Sequence, residues 1–369
     1  MTEEATYLRP HLRGLDTWNP TATSAGEHLE KVRRMDLNEC PYPPSPKVEA
    51  AIAGVFQRLN RYADGSCPEL AARISKTTGV PAPNICFGPG STQLLKCIIE
   101  VAIGPGANLI SPSLLWHRFH GIYEALEADA TLVPNRADGS IDVERLTASI
   151  GNNTRMAVVI TPNNPTGLML SEAELLHVIR NTPENVLLFI DEAYYEFAIH
   201  AGGPDALKLL QAHRTGPWIV SRTFSKAYAL AGLRLGYAMC SSHEIANAVR
   251  LMSSTFVVSA FAEAAALGAL DDPDYSRFIV EDTARERARI IQGFKDLGCK
   301  PMNSVTNFVS ADIGRPNGLS GAEVVAAMRA KGIRIARWSY PDYANFIRVS
   351  MGSSEDTDAF LETLAGLLR

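Results

Sequence analysis

The chain is predicted to be an α/β protein: a mostly parallel central sheet flanked by helices, with a small C-terminal α+β domain. Three observations carry that expectation. Short runs of Val, Ile and Leu without polar alternation, at 156–161, 186–191 and 218–221, read as strands buried on both faces. Longer helical patterns alternate with such runs, as they do where helices cover a parallel sheet. Finally, loops rich in Gly, Pro, Asn and Ser follow several of the strands, where ligands bind in sheets of this kind.

Residues 1–46 hold Pro10, Pro20, Pro41, Pro43, Pro44 and Pro46 and lack sustained periodicity, so an extended N-terminal arm is expected. Residues 47–270 are expected to form a large domain. It begins with helix 48–59, a turn at Tyr62-Ala63-Asp64-Gly65, helix 68–78 and strand 85–87. Helix 92–101, strand 108–111, helix 117–128 and strand 131–133 follow. Strand 156–161, helix 171–181, and strands 186–191 and 218–221 come next, and the alanines and leucines after residue 226 can turn into another helix. An apolar helix at 260–270 ends at Asp271-Asp272-Pro273-Asp274, which divides off a small domain, 271–369. That domain has a charged helix at 275–297, then elements at 307–311, 321–331, 333–336, 346–350 and 355–368.

The 369 residues exceed one comfortable core, so two lobes are the prior. A net charge of −5, with no basic stripe, argues against a nucleic-acid partner. The six cysteines are scattered and form no C-x-x-C, which fits neither a zinc site nor a disulfide framework. No metal is therefore expected, and reduced thiols point to the cytoplasm. The opening Met1-Thr2-Glu3-Glu4 does not look like a signal peptide. The apolar stretch 257–270 is too short to span a bilayer and is interrupted by Glu263, so no membrane association is expected.

The chemistry centres on Lys226, in Ser221-Arg222-Thr223-Phe224-Ser225-Lys226-Ala227-Tyr228-Ala229-Leu230-Ala231-Gly232-Leu233-Arg234. An amine at the mouth of a buried strand can form a Schiff base with an aldehyde, while Thr223, Ser225 and Arg234 can bind a phosphate. An aldehyde bearing a phosphate describes pyridoxal 5'-phosphate, PLP. Ser221 is expected to be a strand end rather than a ligand. Upstream, Gly88-Pro89-Gly90-Ser91-Thr92-Gln93 joins a strand to a helix start, a backbone anion site or an ordinary capped turn. Thr161-Pro162-Asn163-Asn164-Pro165-Thr166-Gly167 would present the Asn164 amide rigidly. Asp191-Glu192-Ala193-Tyr194 ends an apolar strand in a carboxylate that needs a partner, which a pyridinium nitrogen would supply.

With these motifs in this order, the chain resembles the fold-type-I PLP enzymes of the class I/II aminotransferase superfamily. Within them it is most similar to the histidinol-phosphate aminotransferase group. The resemblance runs from Leu37-Asn38-Glu39-Cys40-Pro41-Tyr42 to Ile347-Arg348-Val349-Ser350-Met351-Gly352. It implies that Lys226 carries PLP and moves the proton, that Asp191 pairs with the pyridine nitrogen, and that Asn164 and Tyr194 bond the ring oxygen. Ser91, Thr92, Thr223, Ser225 and Arg234 would hold the cofactor phosphate. Tyr62 would reach the phosphate in the partner subunit of a homodimer with shared active sites. Arg348 would clamp the substrate carboxylate.

Two stretches depart from the family pattern. The ring-stacking tyrosine is missing, and in Ser111-Pro112-Ser113-Leu114-Leu115-Trp116-His117 the candidate is Trp116, with His117 as rival. The distal phosphate-binding arginine of the histidinol-phosphate enzymes is also displaced. In Gly332-Ile333-Arg334-Ile335-Ala336-Arg337 its position holds alanine, and Arg337 lies one residue late. The expected activity is transamination of an amino acid or amino-alcohol phosphate donor with a keto-acid acceptor. The alternatives are PLP-dependent decarboxylation of the threonine-phosphate type and a non-catalytic ligand-sensing module.

Overall fold

The computed structural model describes residues 32–315 and 318–368. Within them, a seven-stranded sheet is built from β2 (Ile85–Gly88), β3 (Asn108–Pro112), β4 (Asp129–Val133), β5 (Thr154–Ile160), β6 (Leu187–Asp191), β7 (Trp218–Thr223) and β8 (Gly236–Cys240), in the order β2-β8-β7-β6-β5-β3-β4. The run β4-β3-β5-β6-β7 is parallel, and β8 lies antiparallel to both β7 and β2. Every residue of β6 and β7 is buried, the signature expected of unalternating strands. Val159, Ile190 and Val220 pack into one core on one face, while Val158, Phe189 and Ile219 pack into another on the opposite face. Truncating Ile190, Ile219 or Phe189 to alanine would cost roughly 2–5 kcal/mol.

A five-stranded sheet contains β1 (Arg33–Met35), β9 (Lys300–Pro301), β10 (Phe308–Asp312), β11 (Ile333–Arg337) and β12 (Phe346–Ser350), ordered β1-β11-β12-β10-β9. Its core includes Met35, Ile290, Val309, Val324, Ile347 and Phe360. The helix Pro273–Asp296 packs on this sheet and also touches the helix Tyr195–His200 of the larger layer.

Several elements differ from expectation. Within the expected arm, residues 33–35 are a strand rather than irregular: β1 pairs in parallel with β11 and brings the segment 36–40 over the larger sheet. The helix expected at 48–59 is Pro46–Ala53; Gly54 caps it and a 3-10 turn, Phe56–Arg58, follows. No long helix follows Lys226. Ala229 and Arg234 have φ of 56° and 55°, which interrupts helical winding, and only the 3-10 turn Ala231–Leu233 forms. The antiparallel β8 and the helices Val143–Ala148, Ala206–His213 and His243–Met252 occupy stretches for which no element is expected. They are short, and their apolar spacing is satisfied only by contacts distant in sequence. Among the described residues, no helix is long and apolar enough to cross a membrane.

Candidate active site

The C-terminal ends of β5, β6 and β7 and the loop after β2 open into one cavity of about 420 Å³. Ser91, Thr92, Trp116, Asn164, Asp191, Tyr194, Thr223, Ser225, Lys226, Arg234 and Arg348 all line it, joined by Leu37, Asn38, Glu39 and His117. The residues after β5, β6 and β7 converge because these parallel strands end on the same edge, while Leu37, Asn38, Glu39 and Arg348 reach the cavity from the five-stranded sheet.

Lys226 follows β7 by three residues and donates from Nζ to the backbone carbonyls of Asn38 at 2.8 Å and Leu37 at 3.3 Å. Burial lowers its pKa from 10.5 to about 7, helped by Arg348 and Arg234 and opposed by Glu39. At the floor, the Asp191 carboxyl is pushed up to about 6 by burial; the Ser221 hydroxyl and the Ala193 backbone N–H stabilise its charged form. Ser221 is therefore more than a strand end. Its Oγ donates to Asp191 Oδ1 at 2.8 Å, because Asp191 and Ser221 stand in register across β6 and β7. Tyr194 is buried, its hydroxyl accepts from Asn38 Nδ2 at 2.9 Å, and burial raises its pKa to about 12.

Arg348, on β12, donates from Nη1 to Asn164 Oδ1 and from Nη2 to the Asp36 carbonyl, both at 2.7 Å. Among the described residues its buried Nε–H has no acceptor. Burial pulls its pKa down. Below the lysine, Arg222 is buried with Glu192 at 2.8 Å and lies 3.3 Å over the Tyr195 ring, a strut that ties β7 to the loop after β6.

The phosphate-sized end of the cavity lies at the N-terminus of the helix Ser91–Ala102. Ser225 N–H donates to Thr223 Oγ1 at 3.1 Å, and the two hydroxyl oxygens are 3.0 Å apart. Glycine is required at position 90: its φ is +80°, and a Cβ there would stand 2.2 Å from Arg234 Nη2. Backbone N–H groups, hydroxyls and one guanidinium make this a site for a dianion.

Two expected site residues lie outside the cavity of their own chain. Tyr62 is 82% exposed and stacks on Phe256 with centroids 4.4 Å apart. Arg337 is exposed and borders a cleft of about 30 Å³ shared with Trp116, His117, Asn164 and Arg348. Ala336 stands opposite Arg348 across β11 and β12. Trp116 and His117 both border the main cavity, with their rings edge to face at 5.9 Å.

The residues fit PLP. Among the described residues no cationic side chain pairs with Asp191, and its raised pKa reflects a buried carboxyl in want of a positive partner, which a protonated pyridine nitrogen would provide. The amine, the carboxamide and phenol, and the anion cup would supply the remaining contacts. Residues 30–364 match the family described as aminotransferase class I and II. The histidinol-phosphate aminotransferase of Geobacillus thermodenitrificans is 33% identical over 373 residues, with 98% of each chain covered. An aromatic amino acid aminotransferase of Streptomyces coelicolor is also 33% identical, again over 98% of both chains. The crystal structure of histidinol-phosphate aminotransferase from Sinorhizobium meliloti in complex with pyridoxal-5'-phosphate superposes with a TM-score of 0.86 at 28% identity, covering 99% of this chain and 98% of that one. The chain belongs to the class I and II aminotransferase family and is a PLP-dependent aminotransferase of fold type I.

Proposed function

We propose that the chain transaminates donors whose side chain carries a planar ring, histidinol phosphate or an aromatic amino acid, with a keto acid as acceptor. The observation that carries this reading is the cleft that Arg348, whose Nε–H has no acceptor among the described residues, shares with the aromatic side chains Trp338 and Tyr340. Trp338, Tyr340, Tyr343 and Phe346 pack ring against ring there, with Trp338 and Phe346 centroids 4.6 Å apart. A similar activity is borne in the names of the relatives, and no observation favours decarboxylation.

PLP, when bound, supplies an electron sink for the charge left at the donor's Cα. The side chains do the rest. Lys226 anchors the cofactor and, with its pKa lowered to about 7, takes and returns the Cα proton. Asp191, oriented by Ser221, holds negative charge against the ring nitrogen. Tyr194 accepts from Asn38, so its own proton is left to donate to the ring oxygen; Asn164, with Oδ1 engaged by Arg348, has its NH2 left for the same atom. Arg348 binds the donor carboxylate, or its counterpart in the keto acid. Ser91, Thr92, Thr223, Ser225 and Arg234 bind the cofactor phosphate. Trp116 covers the ring face, and Arg337, at the cleft mouth, meets a distal phosphate when the donor has one.

The same reading takes residues 47–270 as the PLP-binding domain and 271–369 as the small one, with 1–46 as an arm; residues 1–31 lie outside the described ones. It makes the enzyme a homodimer in the cytoplasm, in which Tyr62 reaches the partner's cofactor phosphate. Support comes from exposed apolar side chains, Phe56, Leu59, Tyr62, Leu251 and Phe256, all more than half exposed. A donor panel tests the substrate: histidinol phosphate, phenylalanine, tyrosine, tryptophan, aspartate and alanine, each added to the loaded enzyme while its visible absorbance is followed. Ring-bearing donors are expected to bleach the band fastest. Reaction with aspartate or alanine alone would overturn the proposal.

A further inference from the structure

We infer that Asn38 is a positioning residue that sets the hydrogen-bond direction of the Tyr194 hydroxyl while its backbone carbonyl receives the Lys226 amine. The inference rests on the assignment of Tyr194 and Lys226 to the cofactor and goes beyond it.

Asn38 is 2% exposed and every polar group it has is used. Its Nδ2 donates to Tyr194 Oη at 2.9 Å, and its Oδ1 accepts from Ser350 Oγ at 3.0 Å. Its own N–H donates to Ser350 Oγ at 2.8 Å. Its carbonyl accepts from Lys226 Nζ at 2.8 Å and from Asn307 Nδ2 at 2.9 Å. The backbone that allows this has φ 55°, a left-handed conformation that asparagine tolerates better than most residues.

The consequence is directional. A carboxamide NH2 can only donate, so the phenolic oxygen facing it must accept, and the phenolic proton turns to the cavity. The bond from Ser350 Oγ to Asn38 Oδ1 fixes which end of the carboxamide is which, since a hydroxyl receiving the Asn38 N–H has its proton left for Oδ1. Ser350 lies two residues beyond Arg348 on β12, so the same bonds hold the lysine, the phenol and the carboxylate clamp in one register. The charged groups facing the hydroxyl are Arg348 from β12 and Asp191 from β6, with Lys226, on the loop after β7, lining the same cavity.

A phenol that donates to the cofactor's ring oxygen stabilises that oxygen as an anion and lowers the pH midpoint of the visible band. Asn38→Gly keeps the backbone conformation and the carbonyl and removes the carboxamide. Asn38→Asp keeps the acceptor for Ser350 and replaces the donor with a second acceptor, which draws the phenolic proton away from the cofactor. The experiment is a spectrophotometric pH titration of loaded wild type, Asn38→Gly, Asn38→Asp, Tyr194→Phe and Asn38→Gly with Tyr194→Phe, with circular dichroism of each. The inference expects the Asn38 variants to raise the midpoint, Asp more than Gly, and the double variant to match Tyr194→Phe alone. It is overturned if Tyr194→Phe moves the midpoint and neither Asn38 variant does, or if the shifts add in the double variant. If Tyr194→Phe itself leaves the midpoint in place, the assignment of Tyr194 fails instead. Should Asn38→Gly not fold, Asn38→Asp decides between the first two outcomes.

Discussion

The Lys226 amine offers the most direct measurement. In the cofactor-free protein its pKa falls from 10.5 to about 7, chiefly because burial strips water from the ammonium, with Arg348 and Arg234 adding repulsion and Glu39 partly offsetting them. At about pH 7.5 that makes roughly three-quarters of the amines neutral, against about one in a thousand for a lysine in water. The nucleophile is therefore some hundreds-fold more available than composition alone would imply. The sign for stability follows from proton counts. Between pH 7 and 10.5 the unfolded chain holds a proton that the folded one has lost, so stability rises with pH across that window. Below pH 7 the cost of the buried ammonium is fully present, at most about 5 kcal/mol at 1.36 kcal/mol per pH unit, and less because the cavity admits solvent. The assay is the pH dependence of acylation of Lys226 in cofactor-stripped protein, read by peptide mass spectrometry. Arg348→Met should raise the midpoint and Glu39→Gln lower it, each by roughly one unit or less. A wild-type midpoint above about 9, or shifts of the opposite sign, would refute the electrostatic account.

Two further outcomes are expected. Lys226→Ala should reduce turnover by at least about 10⁴-fold, since both the covalent anchor and the proton carrier are lost, while the phosphate cup still retains PLP; steady-state rates and cofactor retention on gel filtration check this. If Tyr62 serves the partner's site, mixing inactive Lys226→Ala with impaired Tyr62→Ala subunits should restore activity in hybrid dimers. Such a dimer has one site with both native residues, and no recovery after subunit exchange would count against shared sites.

Much of the site was legible in the sequence because its residues sit in short, chemically distinctive runs at strand ends. Asn164, Asp191, Tyr194, Ser225 and Lys226 stand within a few residues of β5, β6 or β7, so locating the strands located them too. The bond from Ser221 to Asp191 depends on the register between β6 and β7, and the contacts of Asn38 and Asp36 reach partners up to 312 positions away. Nothing in a local pattern announces such a contact.

The buried strands β5, β6 and β7, their alternation with helices and the reactive amine were determined by the chain itself, since burial periodicity and residue chemistry are local properties. The pairing of β1 with β11, the lowered lysine pKa, the Asn38 hub and the placement of Arg348 against Asn164 were decided only in three dimensions. Each of these depends on which groups exclude water from one another, and that is settled when distant segments pack.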